Sequence, residues 1–244
     1  MLLDGPRECQ ELTESISVSR VTMVQILQDL EDRLWIEQEG QEYQITQLGR
    51  TLINGFELFL QTVEATQQLR DFIVNLSSEE LPADLRPFGQ AEVVRASHGD
   101  SNAPIRRMSE IAQSADQLQI LTHSIFEEGL RATNKRASSA LDPAEVVLST
   151  AAVKAASEDQ QLSSYIQRSI ETGTNIYHYD GEFLHIVLIA DQSVMILVTG
   201  DFDNIIGGII SDDKRTLSWA EKTFKQYQRE ASFLSNDQFS RRPK

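Results

Sequence analysis

The sequence predicts an α+β chain in three parts: a small helix–turn–helix head with a hairpin, a long linking helix, and a larger α/β domain. Three observations predict it. Val21, Val24, Leu27 and Leu30 keep a helical rhythm just before two short strand-like segments, WIEQ and EYQIT. Leu52, Phe56, Phe59 and Val63 then step by four, three and four along a longer apolar stripe. Beyond residue 90, strand-sized apolar segments alternate with helical ones, the pattern of a sheet with helices on its faces.

The head spans residues 1–46. After LLDGP, ECQELTES reads as a short helix and Ile16–Val18 as a turn. Ser19 is an N-cap residue for a second helix that runs to about Arg33. WIEQ and EYQIT, joined through Glu39-Gly40, form a hairpin of the size of a wing. Helix, turn, helix and hairpin in this order are the plan of a winged helix-turn-helix. Only LLDGP stands before the ECQELTES helix, so the first helix of such a head is expected to be missing.

Residues 47–76 read as one helix, in which Leu69, Phe72 and Ile73 continue the stripe. Such a stripe serves either as a coiled-coil-like dimer seam or as a face packed on the chain's own C-terminal domain. SSEELPADLRPFG, with two prolines, reads as a linker.

Residues 90–235 form the α/β domain. AEVVRA is its first strand, followed by a helix from about Pro104 to Ala115. LQILT is the second strand, with a helical stretch at Phe126–Lys135. EVVLS is the third, unless Asp142-Pro143 opens a helix there. Helical residues continue to Glu171. Thr174–Tyr179 and Phe183–Ala190 are expected to form a hairpin about Asp180-Gly181, extended by VMILV and IIGGII. FLHIVLIA is apolar on both faces, as a central strand covered on both sides must be. The glycines of IIGGII mark a bulge or close packing rather than a phosphate loop. LSWAEKTFKQYQRE closes the domain as a helix.

Composition narrows the function classes. No apolar run reaches the length of a membrane span, and MLLDGPRECQ lacks the regions of a signal peptide. Cys9 is alone and the four His show no ligand spacing, so neither a disulfide framework nor a metal site is expected, and no cofactor. A cytoplasmic protein is the expectation. The formal net charge is −15, with 37 Asp and Glu against 22 Lys and Arg spread along the whole chain. That distribution fits either a protein adapted to molar salt or an ordinary acidic protein.

Longer stretches carry a family resemblance. VSRVTMVQILQDLEDRLWIE, YQITQLGRTL, LPADLRPFGQAEVVRAS and WAEKTFKQYQREAS resemble the winged-helix regulators of haloarchaea. The C-terminal part of those proteins is the middle domain named after the methanogenesis and filament regulator of methanogens. The resemblance implies a transcriptional regulator, TrmB-like in general plan, with a DNA-binding head and an effector or interaction domain. Family members usually place Gly where this chain has Leu34, just past the second helix. A residue there often needs a positive φ, which disfavours Leu.

The C-terminal domain also resembles a degenerate phospholipase D half. That enzyme family needs H-x-K-x-x-x-x-D, and with Asp191 in the last position Leu184 and Ile186 stand where His and Lys should be. His185 is one residue off, on the opposite face of a strand. A catalytic role is therefore not expected. A degenerate hydrolase-like enzyme, and an interaction module that has lost DNA binding, are the alternative readings.

In a head of this type the N-terminal half of the second helix enters the major groove. Ser17, Ser19, Arg20, Thr22, Met23 and Gln25 are the candidate contacts. Arg20 suits guanine or phosphate, Gln25 suits adenine, and the hydroxyls suit phosphates. The wing tip, Gln38 to Glu42, holds no cation. In molar salt the Debye length falls to about 3 Å, so an acidic surface does not veto DNA binding there. The expected partners are a double-stranded operator, a second copy of the chain and a small-molecule effector, with no membrane. Candidate effector contacts follow the first three strands: Ser97-His98, Thr122-His123-Ser124 and Ser149-Thr150, suited to a sugar, carboxylate or phosphate. The alternative is that the hydroxyls are helix caps, Ser124 with Glu127 spelling a capping box.

Overall fold

The computed structural model describes residues 1–72, 74–75, 82, 84–137, 142–183, 185–200 and 204–235. Contacts divide the chain into two compact units, Met1–Val63 and Glu64–Lys244.

In the first unit, β1 (Arg7–Glu8) leads into α1 (Cys9–Ile16) and α2 (Arg20–Asp32), followed by β2 (Ile36–Glu39) and β3 (Glu42–Ile45). The three strands form an antiparallel sheet in the order β1-β3-β2. Ser17, in the left-handed conformation at φ 57, ends α1 and turns the chain. Ser19 then caps α2 by accepting the Thr22 N–H at 3.1 Å. Gly40 supplies the positive φ that the tight turn between β2 and β3 requires.

Leu12, Met23, Leu27 and Ile36 are the buried core of the head. The inward stripe of α2 is therefore Met23, Leu27 and Leu30, at i, i+4 and i+7. Val21 and Val24, which the sequence pattern placed on that stripe, are exposed. The expected and observed stripes share Leu27 and Leu30 and differ at the N-terminal end, where Met23 takes the inward place given to Val21 and Val24.

α2 ends in a Schellman motif. The Leu34 N–H donates to Glu31 O at 2.8 Å and the Trp35 N–H to Leu30 O at 2.9 Å. Leu34 has φ 58, the left-handed value inferred for this position. Thr46 Oγ1 secures the turn by donating to Leu34 O at 2.6 Å, and it caps the next helix by accepting the Gly49 N–H at 3.0 Å. Leu34 is 68% exposed, so its side chain contributes little burial to offset the strain. Leu34→Gly is expected to stabilise the head by about 1 kcal/mol, the left-handed penalty less the extra freedom of an unfolded glycine. A urea titration should show a higher midpoint at unchanged slope. An unchanged or lower midpoint contradicts the strain argument.

α3 (Gln47–Leu69) is the linking helix. It stops short of the expected Leu76. Residues 70–72 and 74–75 are turn, while Ile73 and Leu76 lie outside the described residues. At and beyond its end, Leu69 and Phe72 are buried in the core of the second unit. Much of the expected linker, at 77–81 and 83, also lies outside the described residues. Its last part is not loose chain. Arg86–Phe88 is a 3-10 turn whose Phe88 is buried in the same core.

The second unit is a sandwich of helices on a mixed sheet. Its elements are β4 (Glu92–Arg95), α4 (Ala103–Ser114), β5 (Leu118–Thr122), α5 (Glu127–Ala137), β6 (Glu145–Leu148), α6 (Thr150–Glu158), α7 (Gln160–Glu171), β7 (Asn175–His178), β8 (Ile186–Ala190), β9 (Ser193–Thr199), β10 (Ile205–Ser211), α8 (Lys214–Glu230) and β11 (Ser232–Phe233). The strand order is β11-β7-β6-β5-β8-β9-β10-β4. β5, β6 and β7 run parallel, and all other pairings are antiparallel.

β7 and β8 do not form the expected hairpin. β7 pairs with β6 and β11, whereas β8 lies between β5 and β9. All five residues of β8 are buried, and such a strand needs a neighbour on each side and cover on both faces. Alternation divides the sheet into two faces. Leu121, Val147, Val187 and Ile196 pack with Phe224 of α8. Ile186, Leu188 and Leu197 pack with Met108 and Ala112 of α4, and Val146 and Leu148 with Ala152 of α6 and Ile166 of α7. Among the described residues no helix is long and apolar enough to cross a membrane.

Candidate nucleic-acid interface and effector site

The head presents α2 with one face bare. Val21, Val24, Gln25 and Gln28 are exposed and, at i, i+3, i+4 and i+7, form a single outward stripe. Arg20 and Thr22 flank its N-terminal end and are also exposed. Arg20 borders a hollow lined by Gln10, Thr13 and Glu14 of α1. Ser17 is exposed at the turn, and Ser19 Oγ and Thr22 Oγ1 lie 2.8 Å apart in the cap.

Met23 must be withdrawn from the contact set. It is 1% exposed, inside the core with Leu12 and Leu27. Its place on the outward face belongs to Val21 and Val24, which the sequence pattern had turned inward. An apolar side chain there can meet a thymine methyl group. At the wing, Gln44 Nε2 donates to Glu37 at 3.0 Å and Glu39 at 3.4 Å, binding the hairpin to itself. Residues 1–46 hold three Arg and no Lys against ten Asp and Glu, so the head repels phosphate unless salt screens its charge.

In the α/β unit the structure gathers most of the predicted effector residues but not all. Ser97 and His98 follow β4, an edge strand separated from β5 by β10, β9 and β8. Four strand spacings make that roughly 19 Å. Both are exposed, and Ser97 is engaged through its backbone in a turn with Asp100. They do not join the others.

Thr122, His123, Ser124, Ser149 and Thr150 do meet, because β5 and β6 are adjacent and parallel. The Ser149 N–H donates to Thr122 O at 3.2 Å. Thr122 Oγ1 donates to Ser124 O and accepts the Ser124 N–H. Ser124 Oγ lies 3.0 Å from His123 Nδ1. Ser149 Oγ caps α6, accepting the Ala152 N–H at 3.3 Å. Ser124 forms no capping box with Glu127, whose carboxylate instead accepts from Arg131, Gln161 and Tyr165.

Three further residues complete this edge. Thr150 Oγ1 lies 3.2 Å from Nε2 of His178, the last residue of β7. The Tyr179 N–H donates to Leu148 O. Glu182 accepts the Ala151 N–H at 3.0 Å, placing the chain's own carboxylate at the N-terminus of α6. A free anion would have to displace it. Reading β7 as a hairpin arm concealed that its end lies beside those of β5 and β6.

Family comparison assigns the chain. Residues 1–68 match the HVO_A0261 N-terminal domain. Residues 101–230, more than half of the chain, match the middle domain of the methanogenesis regulatory protein FilR1. The chain belongs to the FilR1 middle-domain family. No curated protein matches it.

Solved structures similar to this FilR1-family chain share little sequence with it. TrmBL2, described as an archaeal chromatin protein with a novel mode of DNA binding, is 14% identical at a TM-score of 0.44, over 94% of this chain and 89% of that one. Nuc from Salmonella typhimurium, a phospholipase D family member, is 12% identical at 0.47, over 59% of this chain and 97% of its own. NucT from Helicobacter pylori is 12% identical at 0.45, over 59% and 99%.

The positions that the sequence reading set against H-x-K-x-x-x-x-D are Leu184, Ile186 and Asp191. Leu184 lies outside the described residues, and Ile186 is buried against the α4 face. Asp191 sits in the β8–β9 turn at φ 52, where its carboxylate accepts the N–H groups of Gln117 at 2.9 Å and Asp116 at 3.3 Å. Those bonds tie two loops together. No group of three or more potential metal ligands occurs among the described residues.

Proposed function

We propose that this chain is a dimeric, sequence-specific DNA-binding transcriptional regulator whose α/β unit senses an effector and catalyses no reaction. The observation that carries it is the capped α2 helix, whose bare stripe of Val21, Val24, Gln25 and Gln28 stands beside Arg20 and next to a wing hairpin. Membership of a regulatory-protein family supports the same reading. The exposed apolar residues of α3 provide the seam for a second copy, and two heads on a two-fold axis read half-sites about one helical turn apart. The acidity of the head supports a working condition of high salt. There phosphate attraction is screened for every protein, and recognition rests on base edges.

The test is selection of bound duplexes from a random pool in molar KCl, followed by anisotropy titration of the selected site. A palindromic site is expected, with a salt slope much shallower than that of a basic protein. Arg20→Ala should weaken binding by about 1–3 kcal/mol if Arg20 reads a base. Binding of every selected duplex as tightly as wild type would show that α2 is not the reading helix. A steep negative salt slope would contradict the high-salt account.

A further inference from the structure

A cavity of about 60 Å³ lies between the sheet and helices α5 and α7. Ile120, Val146, Leu148 and Ile176 form its floor. They come from three adjacent parallel strands and share one face by alternation. Leu130 of α5 and Ile166 of α7 close it from above, and Met108 and Phe126 line its side. Its half-buried lining residues Ser124 and Phe126 follow β5 at the edge where Thr122, Ser149 and Thr150 gather.

Five hydroxyls also line this space, and four have partners. Thr122 and Ser124 are bonded as described above. Thr133 Oγ1 donates to Gly129 O at 2.9 Å, and Ser169 Oγ donates to Asn134 Oδ1 at 2.7 Å. Thr174 differs. It is 3% exposed, and its Oγ1 meets no hydrogen-bond partner. Buried hydroxyls are nearly always bonded, so one left over at a cavity wall points to a ligand atom. Among the described residues, no charged side chain and no His lines the cavity.

We infer that this cavity is the effector site of the α/β unit and that it takes a small uncharged molecule with a hydrocarbon body and one oxygen: a short-chain alcohol, aldehyde or ketone. The inference rests on the effector-sensing reading above and gives it a ligand class. A carboxylate or phosphate would be buried here without a counter-charge, which excludes the anions that the strand-end hydroxyls invite in sequence. A sugar carries more hydroxyls than Thr174 can partner. At about 10–15 Å³ of probe-occupied space per water, the cavity suits a molecule of about four non-hydrogen atoms. The flexible thioether of Met108 gives room for slightly longer chains.

The test uses the full chain, methyl-labelled at Ile, Leu and Val, in NMR titrations with 1-propanol, propionate and xenon. Saturable shifts at Ile120, Val146, Ile166 and Ile176 are expected with 1-propanol and xenon, and none with propionate. Thr174→Val keeps the shape and removes the hydroxyl. It should weaken 1-propanol by about threefold to tenfold and leave xenon unchanged. Gly129→Ala places a methyl group whose nearest neighbours are Met108 Cε at 3.4 Å and Phe126 Cβ at 4.0 Å, so the fold tolerates it. It should weaken both ligands by reducing the space. Propionate acting like 1-propanol, shifts that scatter or fail to saturate, or indifference to Thr174→Val each overturns the proposal. The duplex selection is a separate experiment. A chain that selects no DNA but binds 1-propanol in this cavity would lose the regulator reading and keep the site.

Discussion

Placing Asp at both Phe56 and Phe59 is expected to yield monomers and to lower operator affinity by about 10²- to 10⁴-fold, the advantage of binding two half-sites at once. Leu48, Leu52, Phe56 and Phe59 lie on one stripe of α3, and Phe56 and Phe59 are 57% and 60% exposed. Their rings stand 6.5 Å apart, tilted by 31°. Burying one such side chain contributes roughly 1.5–3 kcal/mol, so two copies meeting along this stripe gain enough to associate. Four carboxylates along the same two-fold seam would have to be desolvated against like charge, which reverses the balance. Both positions are exposed within the protomer, so its fold should survive the change. Light scattering at high salt reads the mass, and a thermal melt followed by circular dichroism checks the fold. A folded variant that remains a dimer places the interface elsewhere.

Local structure was legible wherever a residue's own chemistry decided it. Ser19 as a cap, Gly40 in the hairpin and the left-handed turn at Leu34 all follow from interactions within a few residues. The face of α2 was not legible. Val21-Val24-Leu27-Leu30 and Met23-Leu27-Leu30 are both acceptable helical stripes, and they differ at their N-terminal end. Packing with Leu12 of α1, a contact between helices, selects the second. The same limit governs the sheet. Segments as apolar as β8 announce a central strand, but which strands flank it depends on non-local pairing. Thr122 and Ser149 come together because consecutive strands β5 and β6 are neighbours, the commonest arrangement. Ser97 and His98 lie apart because β4 joins through β10 at the far edge. Chain order carried no sign of that. The unbonded hydroxyl of Thr174 was equally hidden, since only the packed neighbours show that nothing reaches it.

Gly207→Ala should destabilise the α/β unit by about 1–3 kcal/mol or more, the cost of overpacking a filled core. A Cβ at Gly207 would stand 2.3 Å from Phe72 Cζ, 2.4 Å from Phe72 Cε1 and 3.0 Å from Val94 O. None of these can easily yield. Val94 O belongs to the backbone of the paired strand β4. The Phe72 ring is 2% exposed, locked in the main core with the Arg95 guanidinium 5.6 Å from its centre. Gly208 makes the control. Its Cβ would stand 2.5 Å from Met195 Cε, the far end of a flexible side chain, so Gly208→Ala should cost less. Urea unfolding of both variants gives the comparison. Trimming the obstacle should also help: in the Gly207→Ala background, Phe72→Leu should cost less than it does alone, a coupling that a double-mutant cycle measures. If Gly207→Ala unfolds like wild type, or if the two changes add without coupling, Phe72 is not lodged against β10, and the end of the linking helix is not anchored by that ring.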